Sequence, residues 1–223
     1  MTGQTTAKPR RGRPPKDSGG TLSRERILRA ALTLVDEEGL EAVSMRKLAR
    51  RLGVDPMSLY NHVDGKDALL DGIAEVLLAA IPAPAPGTDL RETMSALAHG
   101  FRAAMLGHPR AAPLVLTRQL ASLTALAPVE AVLGPLLAAG LPPERAVHSL
   151  RAVLAFLIGT LMREVEAAPT FSGADPDGAG RRLADLEASG LPAVVAAAPY
   201  LAVCDHEAEF EFGLRILLDA LAA

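Results

Sequence analysis

The chain has 223 residues, of which 49% are hydrophobic and 3% aromatic, and it contains no Trp. Alanine and leucine dominate the composition, which favours helices over sheets, and the length is sufficient for a well-developed core. The single cysteine, Cys204, excludes an internal disulfide framework and is compatible with a reducing cytoplasm. Residues 1–20 are polar and basic, and the best apolar run, 150–162, is short and contains Arg151, so we expect neither a signal peptide nor a membrane span.

The net charge of −3 conceals an uneven distribution along the chain. Residues 1–66 hold 13 Lys and Arg against 8 Asp and Glu, a net charge of +5. Residues 67–223 hold 10 against 18, a net charge of −8. A basic first part and an acidic remainder predict one region that meets a polyanion and another that does not.

Residues 1–20 are rich in Gly, Pro and charge, which predicts a segment that is disordered in isolation. Arg10, Arg11 and Arg13 lie in the sequence PRRGRPPK, which resembles an AT-hook. In such a segment the arginines lie in the narrow, strongly negative minor groove of A·T-rich DNA. The alternative is a basic tail that supplies only nonspecific attraction to phosphates.

The next stretch predicts three helices in close succession. Apolar residues at helical spacing predict a first helix over 23–38 and a second helix that begins at Ser44. Gly53 suits a turn with positive φ, and Pro56, after an aspartate that can act as N-cap, opens a third helix that ends at Val63. This spacing fits a helix-turn-helix, whose second helix enters a DNA major groove. The alternative is a surface pair of amphipathic helices without a ligand.

The remainder of the chain also carries the apolar spacing of helices. A fourth helix is predicted over 67–81, before a proline-rich stop. Gly and Pro residues predict a flexible surface loop over 169–181. Further helices are predicted over 89–106, 114–125, 128–139, 144–166 and 206–221.

The run from residue 27 to residue 78 resembles the N-terminal domain of the tetracycline-repressor (TetR) family of transcriptional regulators. The resemblance is carried by Ile27, Ala30, Ala31, Gly39, Ser44, Arg46, Leu48, Ala49, Leu52, Gly53, Val54, Leu59, Tyr60, His62, Val63, Lys66, Leu69 and Leu70. It implies an all-α homodimer with a three-helix helix-turn-helix domain and a larger C-terminal helical domain. Together with the composition of the N-terminal segment, this predicts a basic arm over 1–20, a DNA-binding domain over 21–66, and a ligand-binding and dimerisation domain over 67–223.

The C-terminal part is similar to the tetracycline repressor's own branch of the family, through Phe101-Arg102 and residues 146–159. A gapless comparison puts Val115 and Arg163 where that branch has its metal-binding histidine and glutamate, and Pro82 near its drug-contacting histidine. A magnesium–tetracycline chelate needs oxygen or imidazole ligands. We therefore expect neither tetracycline as the inducer nor a metal or cofactor.

Several positions of the motif suit base contacts in the major groove. Arg46, at the start of the second helix, is suited to a bidentate contact with guanine. Pro56, Met57 and Ser58 begin the recognition helix, where apolar surface meets thymine methyl groups, and Asn61 suits adenine.

Other positions match those with which the family grips DNA phosphates. Tyr60, His62 and Lys66 belong to this set, together with Ser44 through its hydroxyl and the helix N-terminus. Lys47 adds positive charge beside them. For Tyr60 and His62 the alternative is packing against the first helix.

Polar and aromatic residues within the C-terminal helices are candidates for an inducer pocket, because a polar side chain inside an apolar helix needs a partner. These candidates are His99, Phe101, Arg102, His108, Arg118, His148, Arg151 and Phe156. The alternative for each is a position in solvent. The helices over 144–166 and 206–221 are predicted to form a four-helix dimer interface, with an intramolecular core as the alternative.

The chain carries no glycine-rich phosphate loop, zinc-ligand spacing or nucleophile elbow, so we predict that it is not an enzyme. The predicted function is a bacterial, cytoplasmic repressor that a small-molecule inducer releases from a palindromic operator. Two alternatives stay open: a transcriptional activator of the same family, and an architectural DNA-binding protein without a ligand.

Overall fold

The computed structural model describes residues 21–85, 88–117, 126–165 and 176–222. Within these ranges it contains α-helices and one 3-10 turn but no strand, which confirms the all-α prediction. The helices are α1 (Arg24–Glu38), α2 (Met45–Leu52), α3 (Pro56–Tyr60), α4 (Gly65–Ala79), α5 (Leu90–Gly107), α6 (Ala112–Thr117), α7 (Leu126–Ala138), α8 (Pro143–Val165), α9 (Pro176–Glu187), α10 (Pro192–Leu201) and α11 (His206–Ala222). The predicted basic arm, with Arg10, Arg11 and Arg13, lies outside the described residues, as does Arg118.

The first three helices begin where their capping residues predict. The side chains of Ser23, Ser44 and Asp55 each accept a hydrogen bond from a backbone N–H of the following turn, at 3.2, 3.3 and 2.8 Å. These bonds satisfy donors that a helix start otherwise leaves without a partner. Gly53 ends α2 with a φ of 68°, which glycine adopts without steric cost and which turns the chain toward α3.

The recognition helix is shorter than predicted, because α3 ends at Tyr60 rather than at Val63. The N–H groups of His62 and Val63 both donate to the carbonyl of Leu59, so the chain leaves the helix through a tight turn. Val63 is buried in that turn, and α4 starts at Gly65, two residues before the predicted position.

The predicted surface loop over 169–181 is wrong in its last part, since α9 begins at Pro176. The following α10, Pro192–Leu201, was not predicted, and it packs against α9. Both helices open with a proline, which in the sequence resembles a helix breaker but is favourable at a first helical position. Of the helix predicted over 114–125, the structure describes only the part in α6.

A continuous hydrophobic core joins the N-terminal helices to the rest of the chain. The fourth helix, α4, packs against α1 on one side and against α5 and α6 on the other. Its contact with α1 is close, because a Cβ atom at Gly72 would lie 2.4 Å from a methyl carbon of the buried Leu28. A movement of α4 therefore changes contacts in both parts of the molecule. The predicted domain boundary between residues 66 and 67 stays a prediction.

Within the described residues, α8 is the one helix that is long and apolar enough to cross a membrane by length and composition. The sequence prediction that no segment reaches that length is wrong, because the helix extends on both sides of the apolar run 150–162. A core helix meets the same two criteria, and α8 packs against α5, α6, α7 and α11. Its length by itself therefore predicts no membrane span.

Candidate nucleic-acid interface and ligand cavity

The predicted DNA-binding residues share one accessible surface around α2 and α3. Leu48 and Leu59 of the same segment are buried, and α2 packs against α1 while α3 packs against α2. Among the predicted residues Met57 is 70% exposed, which is unusual for a large apolar side chain at a helix start. The exposed members are Ser44, Arg46, Met57, Tyr60, Asn61, His62 and Lys66, while Lys47, Pro56 and Ser58 are half-buried.

Two basic side chains of α2 are held by the last residues of α1. Both terminal nitrogens of Arg51 donate to Glu37, at 2.5 and 2.8 Å, and this hydrogen bonding lowers the pKa of the Glu37 carboxyl. Lys47 forms an ion pair with Glu38. In the described part of the chain, Arg46 has no carboxylate within ion-pair distance, so it is better placed than Lys47 to meet DNA.

The acidic end of α1, which consists of Asp36, Glu37 and Glu38, also meets the turn between α5 and α6. The Nδ1 atom of His108 lies 2.9 Å from Asp36 Oδ2. Arg110 donates to the backbone carbonyls of Asp36 and Glu37, at 3.1 and 2.6 Å. A cation at the last carbonyls of a helix is favourable, because those groups carry partial negative charge. This joint was not predicted from the sequence, in which His108 was a pocket candidate.

A cavity of about 780 Å³ lies among α4, α5, α6, α7 and α8. Its walls are mainly apolar, with Phe101 from α5, Leu116 from α6 and Leu157 from α8. Glu75 of α4 supplies a carboxylate to the lining. Cavities of this size and character bind small molecules in proteins.

Comparison with known proteins identifies the chain. Residues 83–223 match the family model described as the tetracyclin repressor-like C-terminal domain, and residues 27–73 match that of bacterial regulatory proteins of the tetR family. The chain belongs to the TetR family. It is therefore a helix-turn-helix transcriptional repressor and not an enzyme, as the sequence predicted.

Several relatives match this TetR-family repressor over most of its length. An HTH-type transcriptional regulator of Saccharopolyspora erythraea is 33% identical over 217 residues, which is 95% of this chain and 90% of that protein. The tetracycline repressor protein class A from transposon 1721 of Escherichia coli is 34% identical over 201 residues, which is 88% of this chain and 88% of that protein. The crystal structure of the Streptomyces coelicolor TetR family protein ActR in complex with actinorhodin has a TM-score of 0.80 at 26% identity, over 92% of this chain and 97% of that one.

Among the described inducer-pocket candidates of this TetR-family repressor, Phe101 lines the cavity. His148 and Arg151 are exposed on α8 and do not line it. His108 lies in the joint with α1. The polar candidates lie elsewhere because each finds a charged partner on another helix or stays in water, whereas the cavity is lined mainly by apolar side chains that resemble core residues in the sequence.

His99 joins α5 to α11 rather than facing the cavity. Its Nδ1 lies 2.8 Å from the carbonyl oxygen of Ser95, and its Nε2 lies 2.6 Å from Glu211 Oε1. The ring also meets the edge of Phe210, with centroids 5.3 Å apart. Burial lowers the pKa of His99, but the hydrogen bonds to Ser95 and Glu211 outweigh it, so the pKa lies above its ordinary value.

Arg102 and Phe156 complete this contact between α5, α8 and α11. Arg102 Nη2 donates to Glu164 at 2.8 Å and Nη1 donates to Glu207 at 2.7 Å. Its guanidinium carbon lies 5.0 Å from the ring centre of Phe210, on which Phe156 stacks at 5.8 Å. These side chains therefore hold the helix bundle together and do not line the cavity.

The positions of the metal-binding residues in the tetracycline-repressor branch do not form a metal site here. Val115 lines the cavity, as does Pro82, and neither side chain offers a ligand atom. Arg163 lies on the surface, where it forms an ion pair with Glu209 at 2.7 Å. Within the described residues no cluster of His, Cys, Asp and Glu is suited to a metal ion.

Proposed function

We propose that this chain represses transcription as a cytoplasmic homodimer, which binds a palindromic operator and leaves it when a small molecule enters the cavity. The observation that carries the proposal is the position of α4. This helix contributes Glu75, Leu78 and Ala79 to the cavity and packs closely on α1 of the helix-turn-helix unit through Gly72. The family contains ActR, whose structure holds actinorhodin, which supports a ligand in the same fold.

In this proposal some residues of the helix-turn-helix contact bases and others contact phosphates. Arg46, Asn61 and the α3 start at 56–58 read base edges in the major groove. Ser44, Tyr60, His62 and Lys66 grip phosphates and set the register of the helix. Lys47 reaches a phosphate only by leaving Glu38, so it contributes less than its charge suggests.

The proposed dimer joins α8 and α11 of two copies. These helices pack against each other within one chain, yet α11 retains large apolar residues that are exposed to solvent. Phe212 is 59% exposed and Ile216 is 52% exposed, and both lie on α11. Apolar patches of this kind mark protein–protein interfaces, and a two-fold axis would pair each patch with its own copy.

Release follows from the spacing that two recognition helices need. Dimeric helix-turn-helix proteins match two half-sites about 34–36 Å apart, one turn of DNA. A ligand that favours a wider spacing shifts the population away from the DNA-bound form by its differential affinity for the two forms. Because α4 lines the cavity and packs on α1, it can transmit a change at the cavity to the distance between the two recognition helices.

The test is a selection of binding sites from a pool of random DNA duplexes with the purified chain. We expect an enriched palindrome with half-sites one helical turn apart, and a far weaker signal for mixed-sequence DNA in fluorescence anisotropy. Equal affinity for the enriched and the mixed duplexes would instead support an architectural protein. An enriched site without two-fold symmetry would contradict the dimer.

A further inference from the structure

The acidic end of α1 contacts both the helix-turn-helix and the C-terminal helices. Glu37 and Glu38 form ion pairs with Arg51 and Lys47 of α2. The side chain of Asp36 and the backbone carbonyls beside it meet the turn between α5 and α6. Three consecutive residues therefore connect α2 to the rest of the molecule.

Two side chains of the α5–α6 turn make this connection. Nδ1 of His108 lies 2.9 Å from Oδ2 of Asp36, and Nδ1 is the donor because a carboxylate accepts. Nη1 of Arg110 donates to the carbonyls of Asp36 and Glu37, which belong to the last turn of α1 and have no partner within a helix. Among the described residues Oδ1 of Asp36 is buried without a hydrogen-bond partner, which makes the loss of the contact with His108 costly.

The α5–α6 turn is a rigid base for these two side chains. The carbonyl of His108 accepts hydrogen bonds from the N–H groups of Ala111 and Ala112, both at 2.9 Å. Both alanines are fully buried in the core. The N–H of His108 donates to the carbonyl of Met105, at 3.2 Å, so the turn is also fixed to the end of α5. A contact made from this turn therefore transmits the position of the C-terminal helices to α1.

The direction of α1 is fixed by contacts at two places along its length. Its first half packs closely on α4, where Gly72 meets Leu28. Its last turn is held by His108 and Arg110. Leu28 and Asp36 are eight residues apart, which corresponds to about 12 Å along a helix. Two fixed points at this distance leave α1 little freedom to tilt, and α2 is paired with its end.

We propose that His108 and Arg110 are positioning residues that set the orientation of the helix-turn-helix on the C-terminal helices, and thereby select the half-site spacing of the operator. Neither residue contacts DNA; both act through the end of α1. The inference rests on the proposed function for the dimer and the palindrome, and it names residues that determine the specificity of that dimer for spacing.

The physical reason lies in how two linked DNA-binding units act together. The second unit adds affinity only where the geometry lets both units engage their half-sites. One inserted base pair moves a half-site by about 3.4 Å and rotates it by about a tenth of a turn. A unit that is held firmly loses its contacts at such a site, whereas a loosely held unit follows the half-site. Loss of the joint therefore lowers the preference for the correct spacing and leaves the binding of one half-site unchanged.

The test measures fluorescence anisotropy of four duplexes with the purified full-length chain. These are the palindrome selected from random DNA, the same palindrome with one base pair inserted or removed at its centre, and a single half-site. We expect the natural chain to bind the selected palindrome at least about tenfold more tightly than either spacing variant. In the double variant His108→Ala with Arg110→Ala, this spacing ratio should fall at least about threefold, while half-site affinity stays within about twofold.

Two further variants serve as matched controls. His108→Asn keeps a side-chain N–H close to the position of Nδ1 and should retain the spacing ratio. Arg29→Ala removes an arginine whose ion pair with Glu25 stays within α1, and it should leave the ratio unchanged. The comparison separates the contact between α1 and the turn from a general loss of charge or polarity.

An unchanged spacing ratio in the double variant overturns the inference. A loss of half-site affinity as large as the loss on the palindrome overturns it too, because the two residues then act on the helix-turn-helix itself. If the double variant does not fold, Arg110→Ala alone changes an exposed side chain, and an unchanged ratio in it has the same meaning. A natural chain that prefers no palindrome removes the proposed function together with the inference, whereas a spacing preference that the variants keep removes the inference alone.

Discussion

At the scale of single residues, the surface of the helix-turn-helix contains basic side chains in two different states. Arg51 and Lys47 are engaged by Glu37 and Glu38, whereas Arg46 points into solvent without a carboxylate among the described residues at ion-pair distance. Lys66, in the first turn of α4, is exposed as well. Basic residues of equal charge therefore differ in how readily they can form an ion pair with a DNA phosphate.

The first prediction separates base reading from phosphate contact. Arg46→Ala should weaken binding to the selected operator by about 1–3 kcal/mol and leave mixed-sequence DNA almost unaffected, because a bidentate contact with guanine is lost. Lys66→Ala should weaken both duplexes by a similar factor and lower the slope of log affinity against log salt by about one. Fluorescence anisotropy at several salt concentrations measures both. An equal loss for Arg46→Ala on the two duplexes would remove this residue from the base-reading set.

A second prediction concerns His99 and pH. Its folded-state pKa lies above the ordinary value of 6.5 through the contacts with Ser95 and Glu211. The stabilisation is therefore fully present below about pH 6.5 and is lost as the pH rises through the higher folded-state pKa. The free energy of unfolding in urea should separate the natural chain from His99→Gln most at acidic pH, by less than about 1 kcal/mol because the pair is half-exposed. A gap that grows toward alkaline pH would contradict this assignment.

At the scale of elements, α4 is the helix on which the two parts of the molecule meet. It approaches α1 so closely at Gly72 that a Cβ atom there would displace the Leu28 side chain, and it lines the cavity one turn later through Glu75. The joint between the acidic end of α1 and the α5–α6 turn provides a second connection, through His108 and Arg110. The helix-turn-helix unit is thus held at both ends of α1.

The third prediction tests the approach of α4 to α1. Gly72→Ala places a Cβ atom 2.4 Å from a methyl carbon of the buried Leu28, so the Leu28 side chain has to shift within the core. We expect a loss of about 1–3 kcal/mol in the free energy of unfolding, as for other overpacked contacts. Gly180→Ala in α9 meets nothing within 4 Å and should leave stability unchanged or raise it by up to about 1 kcal/mol. An equally small effect at both positions would show that α1 and α4 separate easily.

Helix starts are predictable where one side chain decides them. Ser23, Ser44 and Asp55 each mark a helix start in the sequence, and each caps that helix in the structure. The starts of α9 and α10 were missed because Pro176 and Pro192 suit a loop as well as a first helical turn. Which alternative holds depends on packing between distant helices, which local spacing does not contain.

The cavity was harder to predict than the DNA-binding surface for a related reason. Its walls consist of residues such as Val153 and Leu157, which at helical spacing are indistinguishable from core residues. The residues predicted for the pocket were polar or aromatic; of these, Phe101 lines the cavity, whereas His99 and Arg102 pair across helices with Glu211 and Glu164. The space between helices is a property of the assembled bundle and not of any one helix.

At the scale of the whole molecule, the exposed apolar residues of α11 support the proposed dimer. A fourth prediction is that Phe212→Glu converts the proposed dimer to a monomer, because it buries an unpaired carboxylate in the interface. Sedimentation velocity measures the mass, and affinity for the palindrome should fall toward that of a single half-site. Phe212→Leu is the control, since it keeps an apolar side chain and should remain dimeric. A chain that is monomeric before any substitution would contradict the proposed assembly.

The acidic end of α1 sets protein carboxylates and DNA phosphates in competition for the same cations. An operator phosphate that recruits Lys47 has first to take it from Glu38, and the same holds for Arg51 and Glu37. Dissolved salt screens both kinds of attraction. Ionic strength therefore acts on the repressor twice with opposite signs, because it weakens the hold of DNA while it loosens the internal pairs that keep these side chains occupied. The salt dependence of operator binding is a difference between these two effects, and it should be shallower than the number of basic residues in the motif suggests.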